Sequence, residues 1–429
     1  MSKATLTGKF SLVFYYHKLN RYSFNALAGA LDCDEDLAET PISLPKTENE
    51  LMTAVASSVA GNQHTVVALS IMTSQYQEMR RLIGLLRSRH GSTVKILAGG
   101  PHVAPSPRAI LSQGADIAFR GEAEDAFPEV LKRTMEGKAP TGVPGVAFKT
   151  DDGETADSPA KPVDIEAFPS FSPKRGMFGP IEITRGCPFV CGFCQTSHIF
   201  GAKPRHRSIS SIVRQAASLQ PRHRKVVRLL SPNAFSYGSP DGKQVNLAAM
   251  DELLAALREA ISNHGRIVFG YFPSEVRPEH VTAETLELLK RYSDNDEIVI
   301  GAQSGSGRML KTCHRSHSVE DILAAVARAR QFKYKVIVDF ILGLPGETEQ
   351  DANETAKVML ELGRMGARIH PHAFVPLPQT GFAAEHPGRI FPEIIRALQT
   401  LQKKHGVYGD WIDQRRLADQ ICKSRKLSP

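Results

Sequence analysis

The chain has little cysteine, six residues in 429, and no apolar run long enough to cross a membrane. The first shortage excludes a disulfide framework and suits a reducing cytoplasm, where thiols stay available to metal. The amino terminus, MSKATLTGKFSLVFYYH, also lacks an apolar signal segment. Together these absences predict a cytoplasmic protein without a membrane partner. There is no fixed-period repeat and no low-complexity tract, which leaves ordinary globular domains. The chain is long enough for two or three of them, and 41% hydrophobic with 23% charged residues is typical of a soluble fold. A formal net charge of +8 favours an anionic partner only weakly.

Half of the scarce cysteine lies in one string. TRGCPFVCGFCQTS holds Cys187, Cys191 and Cys194 at C-x3-C-x2-C spacing, with no fourth cysteine nearby. A closed zinc site wants four protein ligands, and an ordinary iron–sulfur cubane uses four cysteines. Three ligands on a cubane leave one iron open, and an open metal position is where chemistry happens. Two plainer readings stand beside this one: a structural zinc completed by His198, and a set of buried thiols. Pro188 and Phe193 within the loop would shield a cluster from water. Cys33, Cys313 and Cys422 are too scattered for a second cluster and read as free thiols.

Two βα series flank a linker. KFSLVFYYH, TVVALSIMT, VKILAGG and ADIAFRG are strand-like. SQYQEMRRLIGLLRSRHG carries Met79, Leu82, Ile83, Leu85 and Leu86 at helical spacing. Alternation of this kind predicts a doubly wound parallel sheet over 1–140, with ligands bound beyond the strand carboxyl ends. There lie Ser70, Gly99, Gly100 and the Gly121–Glu122 pair. Glycines after strands also serve as plain tight turns. Residues 141–179, rich in Pro, Ser and Asp, read as a linker. From 180 to 380 six further strands (IEIT, VVRLL, IVFGYF, EIVIGAQ, KVIVDFIL, RIHPHAFVP) alternate with helices and predict a partial (β/α) barrel. A basic helical extension fills 381–429.

The cysteine loop resembles that of the radical S-adenosylmethionine (SAM) enzymes. The upstream segment AGGPHVAPSPRAILSQGADIAFRGEAEDAF resembles the cobalamin-binding domain that precedes it in the B12-dependent members. The resemblance covers about 1–380, and is closest to the archaeal-type group described as B12-binding domain/radical SAM domain proteins. It implies a [4Fe–4S] cluster on the three cysteines, SAM on the open iron, and cobalamin in the first domain. For cobalamin it implies contacts from Ser70, Thr73, Gly99, Gly100, Pro101, His102, Gly121 and Glu122, with Glu124 nearby. His102 reads equally as a helix cap. The motif D-x-H-x-x-G is missing, which implies a base-off corrinoid without a histidine from that motif.

Four further strings match the family. RLLSPNAFSYG offers Ser231, Asn233 and Tyr237. GAQSGS offers Gln303 and Ser304 to SAM. Arg315 in KTCHRSHS is suited to the SAM carboxylate, or is an ordinary solvated arginine. DFILGLPGET is expected to line the adenine pocket with Ile341, Leu342 and Gly343, while Glu347 reads instead as a cap for the following helix. In FVPLPQTGF, Gln379 stands where the family has glycine. The basic run 203–228 (Lys203, Arg205, Arg207, Arg214, Arg222, Arg224, Lys225, Arg228) reads as a phosphate-binding surface, a dock for an acidic electron donor or for the anionic corrinoid side groups, or a solvated helix flank.

What the family does gives the expected activity: reductive SAM cleavage to a 5′-deoxyadenosyl radical, with carbon methylation through methylcobalamin. The substrate would be a small molecule or a peptide, and the electrons would come from a flavodoxin- or ferredoxin-type donor. Alternatives are cyclisation or rearrangement, RNA modification of the methylthiotransferase kind, and a non-enzymatic cobalamin or cluster sensor. The second three-cysteine cluster usual in methylthiotransferases is missing, and no RNA-binding module is recognisable. No residue is singled out as a general base.

Overall fold

The computed structural model describes residues 10–61, 63–219, 225–262, 265–404 and 406–426. The chain divides into two compact units, residues 1–179 and 180–429.

The first unit runs β1 (Phe10–Phe14), α1 (Arg21–Asp32), β2 (Ile42–Ser43), α2 (Glu48–Ala60), β3 (His64–Ser70), α3 (Tyr76–His90), β4 (Val94–Gly99), α4 (Pro107–Ser112), β5 (Ile117–Phe119), α5 (Ala126–Met135), β6 (Val146–Lys149) and β7 (Thr155–Asp157). One sheet takes the order β2-β1-β3-β4-β5-β6-β7. Alternate strand residues serve opposite faces, as the pleat dictates. Val13, Val67, Leu69 and Ile96 pack with Leu51, Met79, Leu82 and Ile110 of α2, α3 and α4. Leu12, Phe14, Val66 and Leu97 pack with Phe24, Leu31, Phe127 and Val130 of α1 and α5. The sheet is parallel from β2 to β5. Its order reverses at β1/β3, which opens a crevice beyond their carboxyl ends.

The expected linker is partly sheet. β6 and β7, inside 141–179, add an antiparallel hairpin to β5. Asp152 and Gly153 make its turn: Gly153 takes φ +85°, and its N–H donates to Thr150 O (2.9 Å). Strands of three and four residues around a polar turn leave almost no periodicity to read.

The second unit runs β8 (Ile181–Glu182), β9 (Thr184–Arg185), α6 (Thr196–Phe200), β10 (Arg205–His206), α7 (Ile209–Ser218), β11 (Lys225–Leu230), α8 (Leu247–Ile261), β12 (Gly265–Val268), α9 (Ala283–Tyr292), β13 (Glu297–Gln303), α10 (Gly307–Thr312), α11 (Val319–Gln331), β14 (Lys335–Leu342), α12 (Glu349–Arg364), β15 (Arg368–Ala373), α13 (Pro392–Lys404) and α14 (Trp411–Lys426). β8, β11 and β12 pair in parallel, as do β13, β14 and β15. The two triplets join beyond β12, where Val299 N donates to Gly270 O (3.0 Å) and Val276 N to Val299 O (2.8 Å). Six parallel strands with helices between them make the partial barrel. The carboxyl-terminal extension covers the edge of β15: Val407 bridges Ile369, and Gln414 Oε1 accepts from Ala373 N (2.7 Å). Among the described residues no helix is long and apolar enough to cross a membrane.

Candidate active site

The cysteine loop is fastened at both ends by the β9–β10 pair, Thr184 opposite His206 and Arg185 opposite Arg205. Gly186 takes φ +90°, and a Cβ there would stand 2.5 Å from Lys203 O; only glycine lets the loop start. The tip is held by the chain around it. Gly192 N donates to Cys313 O (3.1 Å), Phe382 N to Gly192 O (2.8 Å) and Gln195 Nε2 to Pro378 O (2.9 Å). The turn after Pro378 survives the missing glycine, because Gln379 itself adopts φ +65°.

Cys191 is buried, Cys187 and Cys194 are half-buried, and all three are free thiols. Burial pushes the Cys187 and Cys194 thiols up, so metal binding must displace their protons. Three thiolates on one tetrahedral zinc would lie roughly 4 Å apart. The potential ligand atoms that do gather within 4.8 Å of one another belong to Asp339, His370 and His372, not to the three sulfurs, and His198 is exposed.

Beside the loop lies a polar wall from the ends of the barrel strands. Arg315 donates from Nη2 to Gly301 O (2.6 Å) and from Nη1 to Cys191 Sγ (3.6 Å), while its buried Nε has no partner. Gln303, at φ +73° where the β13–β14 register shifts, donates from Nε2 to Glu275 Oε2 (3.4 Å). Glu275 stays open to solvent at the strand ends, although the chain crowds around it. Burial first, then the neighbouring Asp339, drive its carboxyl well above the usual range, against the pull of Arg315 and Gln303. A Cβ on Gly301 would meet Glu275 Oε2 at 2.6 Å. An acidic pair at the strand ends, open to solvent at Glu275, suits a cationic ligand, and SAM brings a sulfonium and an ammonium. Phe193 and Ile341 supply apolar surface, packed with Phe382 around Met309, Cys313, Leu344 and Phe374.

Glu275 and Asp339 escaped the sequence reading. SEVRP resembles no string singled out there, and Asp339 is enclosed in an apolar strand that reads as core. The only available signal was a charged residue inside KVIVDFIL.

Several expected SAM contacts have partners within the chain. Asn233 is taken at both ends: Oδ1 accepts from Arg277 N (3.3 Å) and Nδ2 meets His280 Nδ1 (2.8 Å). Ser231 donates to Asn233 O (2.8 Å) and Tyr237 to Arg207 O (2.8 Å). Ser304 packs under α12, its Oγ 3.3 Å from Thr355 Oγ1. Leu342, next to Ile341 on β14, faces the opposite side and is buried. Gly343, at φ +67°, makes its close approach to the chain, because a Cβ would lie 2.8 Å from Gly388 O. Glu347 does not cap α12. Thr348 does, in a capping box with Asp351.

Asp339 also gathers with His370 and His372 along β14 and β15. His370 Nδ1 donates to Asp339 Oδ1 (2.9 Å). Gln414 Oε1 is occupied by Ala373 N–H, so its Nε2 donates to His372 Nδ1 (3.2 Å). That bond requires an unprotonated Nδ1, in keeping with the burial that lowers the His372 pKa. Both rings are thus held by hydrogen bonds.

In the first unit the expected cobalamin contacts gather at the carboxyl ends of β3 and β4. Gly100 takes φ +96°, and a Cβ would fall 2.6 Å from Ile71 N. His102 does not stand at the cap of α4, where Ser106 lies; its ring is 4.0 Å from Tyr76 and Nδ1 is 3.2 Å from Thr73 Oγ1. Ser70 Oγ is buried without a partner. So are Asn20 Oδ1 and Gln75 Oε1, which sequence did not single out. A β1–β3 crevice with unsatisfied buried polar atoms fits a large polar ligand such as the corrinoid nucleotide tail. Gly121, at φ +79°, turns the chain after β5, and Glu122 Oε2 accepts from Val163 N (3.2 Å), so that carboxylate supports residues 163–165.

Within the described part of the basic run, several side chains turn to backbone carbonyls. Arg207 is buried and donates to Glu182 O (2.8 Å), Arg205 to Phe200 O (3.1 Å) and Arg228 to Phe272 O (3.2 Å). Arg222 and Arg224 lie outside the described residues, as does the side chain of Lys225 and the amino-terminal stretch 1–9.

Comparison with known proteins places both units. The B12 binding domain model matches residues 15–131, and the Radical SAM superfamily model matches 181–359. An uncharacterised protein of Methanopyrus kandleri is 28% identical over 371 residues, 76% of this chain and 68% of its own. The radical SAM methyltransferase TsrM from Kitasatospora setae superposes with a TM-score of 0.66 at 17% identity, covering 87% of this chain and 77% of that one. The cobalamin-dependent SAM radical enzyme OxsB superposes at 0.65 with 17% identity; 82% of this chain is covered but only 52% of OxsB, so the chain spans about half of that protein. At such identity these structures speak for the fold, and the two domain models name what it holds: a [4Fe–4S] cluster with SAM, and cobalamin. With both domains matched in this order, the chain belongs to the cobalamin-dependent radical SAM enzymes.

Proposed function

We propose that the enzyme methylates a carbon atom of a small-molecule or peptide substrate in the cytoplasm, with electrons from a flavodoxin- or ferredoxin-type donor. The observation that carries this reading is a three-cysteine loop and a corrinoid-type crevice in one chain, folded like a methyltransferase over 87% of its length. When bound, the cluster with SAM supplies a hydrogen-abstracting radical, and the corrinoid supplies a transferable methyl group.

In this reading Cys187, Cys191 and Cys194 hold the cluster. Arg315 offers its unpartnered Nε to the SAM carboxylate, Glu275 receives the ammonium, and Gln303 with Asp339 meets hydroxyls. Phe193 and Ile341 give the adenine an apolar bed. Ser70, Thr73, Gly99 and Gly100 receive the corrinoid tail, and His102 lies beside it.

The test is anaerobic turnover of reconstituted, hydroxocobalamin-loaded protein with trideuteromethyl-SAM and candidate substrates. Methylation requires S-adenosylhomocysteine together with 5′-deoxyadenosine, and a product heavier by the labelled methyl. Deoxyadenosine with an unlabelled product would move the assignment to cyclisation or rearrangement.

A further inference from the structure

Arg277 is one of the most enclosed charges in the second unit, 5% exposed, and its guanidinium is only partly matched. Nε donates to Glu279 Oε1 (2.6 Å), while Nη2 is buried without a partner. The guanidinium carbon stands 3.6 Å over the ring of Phe189, which lies between Cys187 and Cys191 in the cluster loop. The charge is within electrostatic reach of the Cys187 and Cys191 sulfurs. The segment is rigidly placed: Arg277 N is bound by Asn233 Oδ1 (3.3 Å), and Val276 bridges Ile300.

A buried guanidinium with an open N–H costs free energy unless an acceptor completes it, and an anionic acceptor also offsets the charge. Glu279 offsets part of the charge but leaves Nη2 open. The neighbouring His317 cannot take part as a cation, because burial, then the Arg315 and Arg277 charges, hold its pKa down to about 2. What the loop does acquire is a cluster on three thiolates, which is negative overall and gains one further negative charge on reduction. Fixed charges and burial around such a cluster set its potential. The two nearby guanidiniums divide the work. Arg315 already donates to Cys191 Sγ and Gly301 O. Arg277 faces the other part of the loop through Phe189.

We infer that Arg277 is an electrostatic partner of the cluster, offsetting the charge gained on one-electron reduction and so raising the reduction potential before SAM is bound. The inference rests on Cys187, Cys191 and Cys194 being the cluster ligands. Wild-type iron content and a reducible EPR signal test that premise separately.

The experiment is an EPR-monitored redox titration of anaerobically reconstituted full-length protein, without SAM or corrinoid, with dithionite as electron source. Wild type is compared with Arg277→Lys, Arg277→Met and Glu279→Gln. At equal iron content, Arg277→Met is expected to move the midpoint to more negative values and Arg277→Lys to stay near wild type. Glu279→Gln leaves the guanidinium on Phe189 and is expected to move the midpoint the opposite way, which keeps the test decisive if Arg277→Met fails to assemble a cluster. An unchanged midpoint in Arg277→Met, or in Glu279→Gln, would overturn the inference. So would an Arg277→Met protein whose only defect is weaker SAM binding, since that would make Arg277 a SAM ligand instead.

Discussion

Arg315 reaches across 124 residues of sequence to donate its Nη1 to the Sγ of Cys191 at 3.6 Å, with Nη2 on Gly301 O at 2.6 Å. One guanidinium therefore ties the cluster loop to the strand that presents Gln303. Its Nε remains buried and unpartnered beside the site assigned to SAM.

Arg315→Ala should leave the cluster assembled on its three cysteines but lower SAM affinity by roughly tenfold to hundredfold, the range of a charge-assisted hydrogen bond. Equilibrium binding of SAM to reconstituted protein measures it. Unchanged affinity would remove Arg315 from the SAM site.

Glu275→Gln should act in opposite directions with and without ligand. The folded carboxyl holds its proton to a higher pH than the unfolded chain, whose value is about 4.3. Its contribution to stability therefore falls as pH rises from about 5 through the folded pKa, and the amide escapes this loss. The ligand-free variant should melt above wild type, by a margin that grows toward pH 8–9. The rise in melting temperature that SAM gives wild type should shrink. A variant less stable than wild type at pH 8, with the SAM effect intact, would refute the role.

Ser70→Ala removes an oxygen that makes no bond in the fold. Stability should hold or rise slightly, while hydroxocobalamin affinity falls about tenfold, the worth of one hydrogen bond. Spectroscopic titration of the corrinoid gives the answer; equal affinity would take Ser70 out of the crevice's binding set.

Asp351 accepts from Ser306 Oγ (2.6 Å), Thr348 Oγ1 (2.5 Å) and Arg308 Nε (3.1 Å). Burial pushes its carboxyl up, but those bonds win and hold it well below the usual range. The stabilisation is present above the unfolded pKa of about 3.9 and is lost as pH falls through the folded value. Asp351→Asn should cost about 1–3 kcal/mol at pH 7 in chemical denaturation, and the gap to wild type should close in acid below about pH 4. A gap that persists undiminished below that pH would contradict the assignment.

Much of this architecture is legible in the sequence because its strands are continuous apolar runs and its cysteines are spaced for one job. KVIVDFIL and EIVIGAQ announce buried parallel strands. The β6–β7 hairpin is silent because seven strand residues around a polar turn carry too little pattern. The site is legible only in part, for a physical reason: strings locate strand ends but not which way a side chain turns there. Ser304 and Gln303 are neighbours in GAQSGS, yet one packs under α12 and the other meets Glu275. Glu275 becomes significant only when the fold brings it beside Asp339.

Anaerobic reconstitution with iron, sulfide and hydroxocobalamin, then reduction in the presence of SAM, tests the central assignment most directly. Wild type should retain the corrinoid, show the cluster absorbance and release 5′-deoxyadenosine and S-adenosylhomocysteine, while Cys191→Ala should lose the cluster band and the deoxyadenosine together. Wild-type protein that binds no corrinoid and yields neither nucleoside, or a Cys191→Ala protein that still cleaves SAM to deoxyadenosine, would contradict it.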